Sequence, residues 1–377
     1  MSRCPSRRGF LRQTTGLALT GAAGVPPTLA RAAGAAGDAP PREIRRGGMA
    51  YRRLGQTDLQ VSALGFGSHT DPAFKVRGKP FSTLTPEAQA RRDRQVARAL
   101  DLGVNLVDTY ESDGQWEPMA RLVKAKRQRV LISLCRQLPT FVGENIDRAA
   151  KLFGHVDLYR IYVGDGSAAT DTILEDWDVL RRAKQAGKVR AIGISTHSER
   201  MLTSALTELE GLDYVMFPYN FIHARADYSE FLPAAMKKGI GLIAIKPLAA
   251  GSIVKLDPRG NAGSRPENDR VSLYQSRDRP LLPAVVRELT RGLGRQPEES
   301  LCQAALRFVY SRPFIACAMP GMFQERELDE NYAALTRHLK TGPTETGSLD
   351  SARRLAARHA PGWLPDHYRW LDQQWRV

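Results

Sequence analysis

The sequence has few cysteines and no long apolar segment, and both shortages limit what the chain can be. Only 4 of its 377 residues are cysteine, and no two of them form a Cys-x-x-Cys pair. Cysteines this few and widely spaced exclude a disulfide framework and a zinc site of that type. We therefore expect Cys135, Cys302 and Cys317 to be small core residues. No segment has the roughly 20 apolar residues of a membrane span, so no stable span is expected.

A concentrated basic surface is also missing, although the formal net charge is +15. The cations are spread along the chain, with arginine pairs on predicted helices at 91–92, 181–182 and 353–354. They are not grouped beside aromatic residues, as nucleic-acid recognition requires. The pattern is typical of solvated helix faces, and we expect no binding to nucleic acid.

The amino terminus carries an export motif. The run Ser6-Arg7-Arg8-Gly9-Phe10-Leu11-Arg12 resembles a twin-arginine signal. A short apolar stretch at 17–25 follows, and small residues at 30–32 permit cleavage. The resemblance implies that the protein is exported in folded form to the periplasm or out of the cell. We expect residues 1–32 to be the signal peptide and residues 33–50, rich in Ala, Gly, Pro and Arg, to be a linker.

From Tyr51 onwards, short β-branched apolar runs alternate with amphipathic helices. Two of the helices have recognisable starts, at Thr85-Pro86-Glu87 and at Thr172. This alternation predicts an α/β fold, a (β/α)8 TIM barrel. A doubly wound sheet is the alternative, but no Gly-x-Gly-x-x-Gly follows the first strand. The predicted strands are 63–66, 104–107, 130–134, 158–163, 191–194, 214–217, 241–245 and 315–319.

Several segments together resemble the aldo-keto reductases. They are 51–67, Gly103–Thr109, Gly187–Ser195, Pro320-Gly321 and Glu330-Asn331, and they follow one another in family order. The resemblance implies an aldo-keto-reductase barrel at 51–340 with a helical extension at 341–377. It also implies an NADP-dependent oxidoreductase that acts on a carbonyl or an alcohol.

That family reduces carbonyls with a tyrosine acid, a lysine that lowers the pKa of the tyrosine, an aspartate that pairs with the lysine, and a histidine that orients the carbonyl. Position by position, the resemblance retains only the aspartate, Asp108. Asp113, Cys135 and Tyr162 stand at the tyrosine, lysine and histidine positions. We therefore expect Asp108 to lack its usual counter-ion. We also expect the carbonyl reduction of the family to be changed or lost.

Other residues are candidates for the missing roles. The candidates for the acid are Tyr162 and Tyr110, which lies two residues past Asp108. The candidate for the positive charge is Lys246, at the end of the seventh strand. The alternative is a catalytically silent barrel that binds a small ligand or a partner protein. In that case the tyrosines are ordinary buried residues and Lys246 reaches solvent. The sequence leaves both open.

The cofactor pocket that the resemblance implies is partly retained. Ser195 stands where the family hydrogen-bonds the carboxamide of nicotinamide, but Thr196 replaces the neighbouring Asn. Leu248 and Gly251 belong to a loop whose small residues let backbone amides approach a pyrophosphate. Glu330 and Asn331 match the family residues at the adenine end of the cofactor. Three other positions of the pocket depart from the family pattern: Met216, Ile245 and Glu327.

We accordingly expect NADP as the cofactor and a small-molecule ligand at the barrel mouth. No iron–sulfur cluster is expected, because no cysteine follows Cys317, and no metal is expected. His69 and Trp116 are further candidates for the lining of the mouth. The oligomeric state is not indicated by the sequence.

Overall fold

A computed structural model describes residues 43–67, 69–70, 72–80, 83–109, 113–136, 142–163, 169–221, 230–248 and 291–342. The predicted signal peptide, Tyr110, Gly251 and almost all of the predicted carboxyl-terminal extension lie outside them.

An antiparallel sheet opens the described chain. Its strands are β1 (Glu43–Arg46), β2 (Met49–Arg53) and β3 (Gln60–Ser62), paired in that order. Residues 43–50 therefore belong to this sheet, and the predicted linker is wrong over that stretch. The prediction missed these residues because it relied on apolar runs, and β1 contains only one apolar residue among its four.

Seven parallel strands form the main sheet, in strict sequence order. All seven are predicted from their apolar runs, the last two with the observed boundaries and the other five with boundaries that differ by one or two residues at one end or both. They are β4 (Leu106–Asp108), β5 (Leu131–Arg136), β6 (Val156–Val163), β7 (Val189–Thr196), β8 (Tyr214–Pro218), β9 (Gly241–Ile245) and β10 (Ile315–Met319).

Residues 63–66 close this sheet into a barrel. Leu64 pairs in parallel with Ala318 of β10, and Phe66 pairs in parallel with Val107 of β4. The amides of Gly65 and Phe66 donate to Ala318 and Leu106 at 2.9 Å. The segment therefore fills the first strand position through two isolated bridges rather than as a regular strand. The predicted (β/α)8 barrel is confirmed.

Helices follow the strands and cover the outside of the barrel. They are α1 (Pro86–Asp101), α2 (Asp113–Val123), α3 (Val142–Phe153), α4 (Asp171–Gln185), α5 (Glu199–Glu208), α6 (Phe231–Lys237), α7 (Leu301–Tyr310) and α8 (Glu325–Thr341). Among the described residues, no helix combines the length and apolarity that a membrane crossing requires.

The starts of α1 and α4 test the helix caps that are predicted from the local sequence. Thr85 caps α1 as predicted, because its side chain accepts a hydrogen bond from the amide of Ala88. For α4 the predicted cap, Thr172, is wrong. Thr170 has the extended backbone of a cap and accepts from Ile173, so α4 begins one residue later, at Asp171.

Apolar side chains form two separate layers. One lies between the sheet and the helices, and the other fills the barrel interior. Leu54 and Leu59 of the connection between β2 and β3, and Val61 of β3, belong to the interior layer together with Leu158 and Met216. Cys135, Cys302 and Cys317 are buried and unbridged, so the prediction that they are core residues is confirmed.

Candidate active site

The carboxyl ends of the parallel strands meet at one end of the barrel, which we call the mouth. Asp108 ends β4, Tyr162 lies near the end of β6, and Ser195 lies near the end of β7. Lys246 directly follows β9. The fold thus brings to one end of the molecule four of the residues that the sequence analysis selected.

Asp108 has a buried cationic partner, Arg160. One guanidinium nitrogen of Arg160 lies 2.7 Å from Oδ1 of Asp108 and the other lies 2.9 Å from Oδ2, so the pair is bidentate. Ser133 donates its hydroxyl to Oδ1 at 2.9 Å. Arg160 is only 2% exposed. Such a planar, doubly bonded pair is a rigid arrangement for two buried charges.

This pair corrects the expectation that Asp108 lacks a counter-ion. Arg160 lies two residues before Tyr162 on β6, so both side chains point to the barrel interior. In the sheet, Arg160 is the lateral neighbour of Cys135, the residue at the family's lysine position. Burial lowers the pKa of Arg160, but the charge of Asp108 outweighs this and holds that pKa above its ordinary value.

Tyr162 contacts a residue that the sequence analysis did not select, His197. The tyrosine hydroxyl lies 3.4 Å from Nδ1 of His197, and the rings meet edge to face with centroids 6.0 Å apart. Tyr162 is 37% exposed, whereas His197 is buried. The acid candidate therefore faces solvent at the mouth and has an imidazole as its neighbour.

Lys246 is held in an unusual backbone conformation. Its φ angle is +54°, in the left-handed region that non-glycine residues rarely adopt. The side-chain amide of Asn220 donates to its carbonyl oxygen at 3.0 Å. The lysine is half-buried, and burial lowers its pKa to about 7.

His69 lies within electrostatic reach of both Lys246 and Asp108. Withdrawal from bulk water and the positive charge of Lys246 lower its pKa, and Asp108 opposes the shift. The side chain keeps an exposed face, as expected at a mouth. Trp116 does not line the mouth: it is fully buried in α2 and packs edge to face on Phe153 in the outer layer.

A second tyrosine lies deeper in the barrel. Tyr214 is fully buried on β8, and its hydroxyl has no hydrogen-bond partner in the described part of the chain. Burial raises the pKa of Tyr214 and the nearby Arg160 lowers it, with the net shift upward. The phenol therefore stays protonated at neutral pH, and its burial keeps it from contact with a substrate at the mouth.

Ser195, Thr196 and Leu248, which the resemblance assigns to the cofactor pocket, differ in their surroundings. Ser195 is buried between Tyr162 and Met216 in the sheet register. Thr196 has a local role, because its hydroxyl oxygen accepts from the amide of Ser198 at the start of α5. Leu248 is half-buried and packs against the outer apolar layer.

Glu330 and Asn331, matched to the adenine end, lie on α8. The hydroxyl of Ser300, the cap of α7, donates to the carboxylate of Glu330. Asn331 is 3% exposed, and its Nδ2 donor has no partner among the described residues. Buried donors are usually paired, so this amide is suited to an acceptor supplied by a ligand.

Glu327 has a structural role at the start of the same helix. Its carboxylate accepts the amides of Phe323 at 2.6 Å and Gln324 at 3.2 Å. Burial raises the pKa of Glu327, and these two hydrogen bonds oppose the shift. Within the described ranges, no group of three or more His, Cys, Asp or Glu side chains is arranged to hold a metal ion.

Comparisons with known proteins agree with this fold, and the predicted aldo-keto-reductase type of barrel is confirmed. Residues 76–351 match the model of the aldo/keto reductase family. L-galactose dehydrogenase of Arabidopsis thaliana is 23% identical, over 76% of this chain and 88% of the relative. L-glyceraldehyde 3-phosphate reductase of Escherichia coli O157:H7 is 25% identical, over 81% and 93%. An aldo-keto reductase from Klebsiella pneumoniae in complex with NADPH superposes with a TM-score of 0.56 at 17% identity, over 81% of this chain and 94% of that one.

Proposed function

Because the chain belongs to the aldo/keto reductase family, we propose that it is an NADP-dependent oxidoreductase with a rearranged set of catalytic residues, which interconverts a carbonyl and an alcohol. The observation that carries the proposal is the buried ion pair between Asp108 and Arg160. The aspartate of the family site keeps a cationic partner, supplied by a different strand position. A bidentate pair of buried charges preserves the electrostatics of the site although the family lysine is replaced.

In this reaction Tyr162 acts as the proton donor to the carbonyl oxygen. Its phenol is the described tyrosine hydroxyl that is partly exposed at the mouth, and His197 Nδ1 lies 3.4 Å away. The imidazole neighbour holds the phenol in place, and the partly exposed phenol regains its proton from solvent. Lys246 adds positive charge at the same end of the barrel and favours the phenolate left after transfer. Removal of a general acid typically costs about 10²–10⁴-fold in rate.

The residues present suit a nicotinamide dinucleotide. Ser195 would bind the carboxamide, and Asn331, whose buried Nδ2 lacks a described partner, would bind the adenine end with Glu330. Leu248 belongs to the loop that would approach the pyrophosphate, and Gly251 of that loop lies outside the described residues. When bound, NADP(H) supplies or accepts the hydride.

The test is a fluorescence titration with NADPH, followed by measurement of carbonyl reduction. Tyr162→Phe is expected to leave NADPH affinity unchanged and to lower the rate about 10²–10⁴-fold. Tyr159→Phe is the matched control, because Tyr159 lies on the same strand but its hydroxyl bonds Asn145, away from the mouth. If Tyr162→Phe reduces carbonyls as fast as the wild type, Tyr162 is not the acid.

A silent barrel is the second candidate, and one observation favours it. Arg160 and Ser133 together occupy both oxygens of Asp108, and Met216 is buried beside Ser195. A site closed in this way binds a small ligand or a partner protein without chemistry. Failure to bind NADPH at high micromolar concentrations would favour this candidate and contradict the reductase.

We further propose that residues 1–32 direct export by the twin-arginine route, to the periplasm or out of the cell. The support is the motif around Arg7 and Arg8 with its apolar stretch and small residues.

A further inference from the structure

Lys246 has a backbone conformation that its own sequence disfavours. Among the residues that the structure describes, it is the one non-glycine residue with a positive φ angle, +54°. Side chains are crowded in this left-handed region, and the ring of the next residue, Pro247, favours an extended backbone before it. Such a conformation persists only where the surrounding structure fixes it. Contacts from another part of the fold are therefore needed to hold Lys246.

Two consecutive residues after β8 hold the peptide groups on both sides of Lys246. The backbone amide of Tyr219 donates to the carbonyl oxygen of Ile245 at 3.2 Å. The side-chain amide of Asn220 donates to the carbonyl oxygen of Lys246 itself at 3.0 Å. Because each peptide group is planar, fixing the group before Lys246 and the group after it restricts both of its backbone torsions.

The segment that supplies these two donors is itself firmly packed. Tyr219 and Asn220 are fully buried. The ring of Tyr219 stacks on Phe308 of α7, with centroids 5.9 Å apart, and meets Phe314 edge to face at 5.7 Å. Close packing of this kind leaves the backbone little freedom to shift. The conformation of Lys246 is thus fixed by the outer apolar layer.

The left-handed turn decides where the lysine side chain lies. Ile245 packs against the interior layer, so a strand continued by one residue would direct Lys246 to the outside of the barrel. The turn interrupts this alternation. The charge of Lys246 acts on His69, as does that of Asp108, in agreement with a side chain at the mouth. Burial lowers the pKa of Lys246 to about 7.

We propose that Asn220 is a positioning residue, which holds Lys246 in the left-handed turn and so keeps its ammonium group at the mouth. The N–H of the side chain performs this role, because the carbonyl of Lys246 needs a donor. The consequence for catalysis rests on the proposed function, in which Lys246 favours the phenolate of Tyr162. The positioning itself does not depend on that function.

The test measures the titration of Lys246 in the full chain, in the absence of nucleotide. Lysines are dimethylated with carbon-13 formaldehyde, and the signal of Lys246 is the one that is missing from the NMR spectrum of Lys246→Arg. The wild type should titrate near pH 7. Asn220→Leu has a similar volume but no donor. It should raise the midpoint by about one pH unit or more, because the released ammonium group regains water.

Asn145→Leu is the matched control. Asn145 is also buried, but its side chain bonds the hydroxyl of Tyr159 in the outer layer. This substitution should lower stability and leave the titration of Lys246 unchanged, so lost packing is distinguished from lost positioning. The other described charged or titratable groups at the mouth remain the same in both variants: His69, Lys75, Arg92, Asp108, Arg160, Tyr162 and His197.

A second measurement addresses the backbone directly. Glycine adopts a positive φ angle without strain, so Lys246→Gly needs less support from Asn220. Asn220→Leu should therefore lower the midpoint of urea unfolding less in the Lys246→Gly background than in the wild type.

The outcomes separate this inference from the proposed function. A raised midpoint for Lys246 in Asn220→Leu, with a smaller loss of stability in the glycine background, supports the positioning role. The inference is overturned by an unchanged titration in Asn220→Leu, by equal losses in both backgrounds, or by a wild-type Lys246 that titrates near the ordinary lysine value. The last measurement applies even if Asn220→Leu does not fold. None of these readouts involves nucleotide, whereas failure of the reductase proposal is seen in the NADPH titration.

Discussion

At the scale of single residues, the central feature is that a buried charge pair is retained with a different cation. Asp108 sits on β4 and its partner Arg160 on β6, with Ser133 of β5 bonded to both. An isolated carboxylate inside the barrel would be costly, and a bidentate arginine offsets that cost. The replacement of a family lysine by Cys135 is thus compatible with a retained aspartate.

Loss of this arginine should destabilise the fold strongly. Arg160→Met leaves Asp108 buried without its counter-charge, and we expect a loss of about 3–5 kcal/mol in the free energy of unfolding. The measurement is equilibrium unfolding in urea. The double variant Asp108→Leu with Arg160→Met removes both charges and should recover most of the loss. Equal destabilisation in the single and double variants would contradict a charge-pair explanation.

At the scale of elements, β7 carries a glycine that makes room for a ring on β8. Gly193 and Tyr214 are lateral neighbours in the sheet. A methyl group at Gly193 would lie 2.5 Å from the carbonyl oxygen of Tyr214 and 2.7 Å from its ring carbon Cε1. The missing side chain therefore lets the buried phenol lie across β7, toward Arg160, the other lateral neighbour of Gly193.

Gly193→Ala should consequently destabilise the barrel. Overpacking of this kind typically costs about 1–3 kcal/mol, which thermal or urea unfolding would detect. Gly143→Ala is the control, since its new methyl group would meet Val179 at an ordinary 3.7 Å and α3 would gain a better helix former. An unchanged stability in Gly193→Ala would show that the strands adjust without cost.

At the scale of the whole molecule, the barrel is closed by contacts between distant parts of the chain. Leu64 pairs with Ala318, so the ring is complete only when almost the entire barrel sequence is available. The mouth likewise needs all of the barrel, since it combines residues from β4, β6, β7 and the end of β9.

The proposed export route is tested by Arg7→Lys together with Arg8→Lys. Loss of both arginines should retain the chain in the cytoplasm, because the twin-arginine pair is the recognised element. Cell fractionation with detection of the chain in each compartment measures the effect. Arg3→Lys lies outside the motif and should be exported normally. Export of the double variant would contradict the proposed signal.

The sequence by itself determined the order and approximate extent of the barrel strands, because continuous β-branched runs are required wherever a parallel strand is buried on both faces. It also identified Asp108, Tyr162 and Lys246 as mouth residues, since each stands at a strand end. Tertiary structure alone decided their partners. Arg160 lies 52 positions from Asp108, and Tyr162 meets His197 only across two neighbouring strands. These contacts depend on lateral register and on barrel curvature, and no local pattern in the chain encodes either of them.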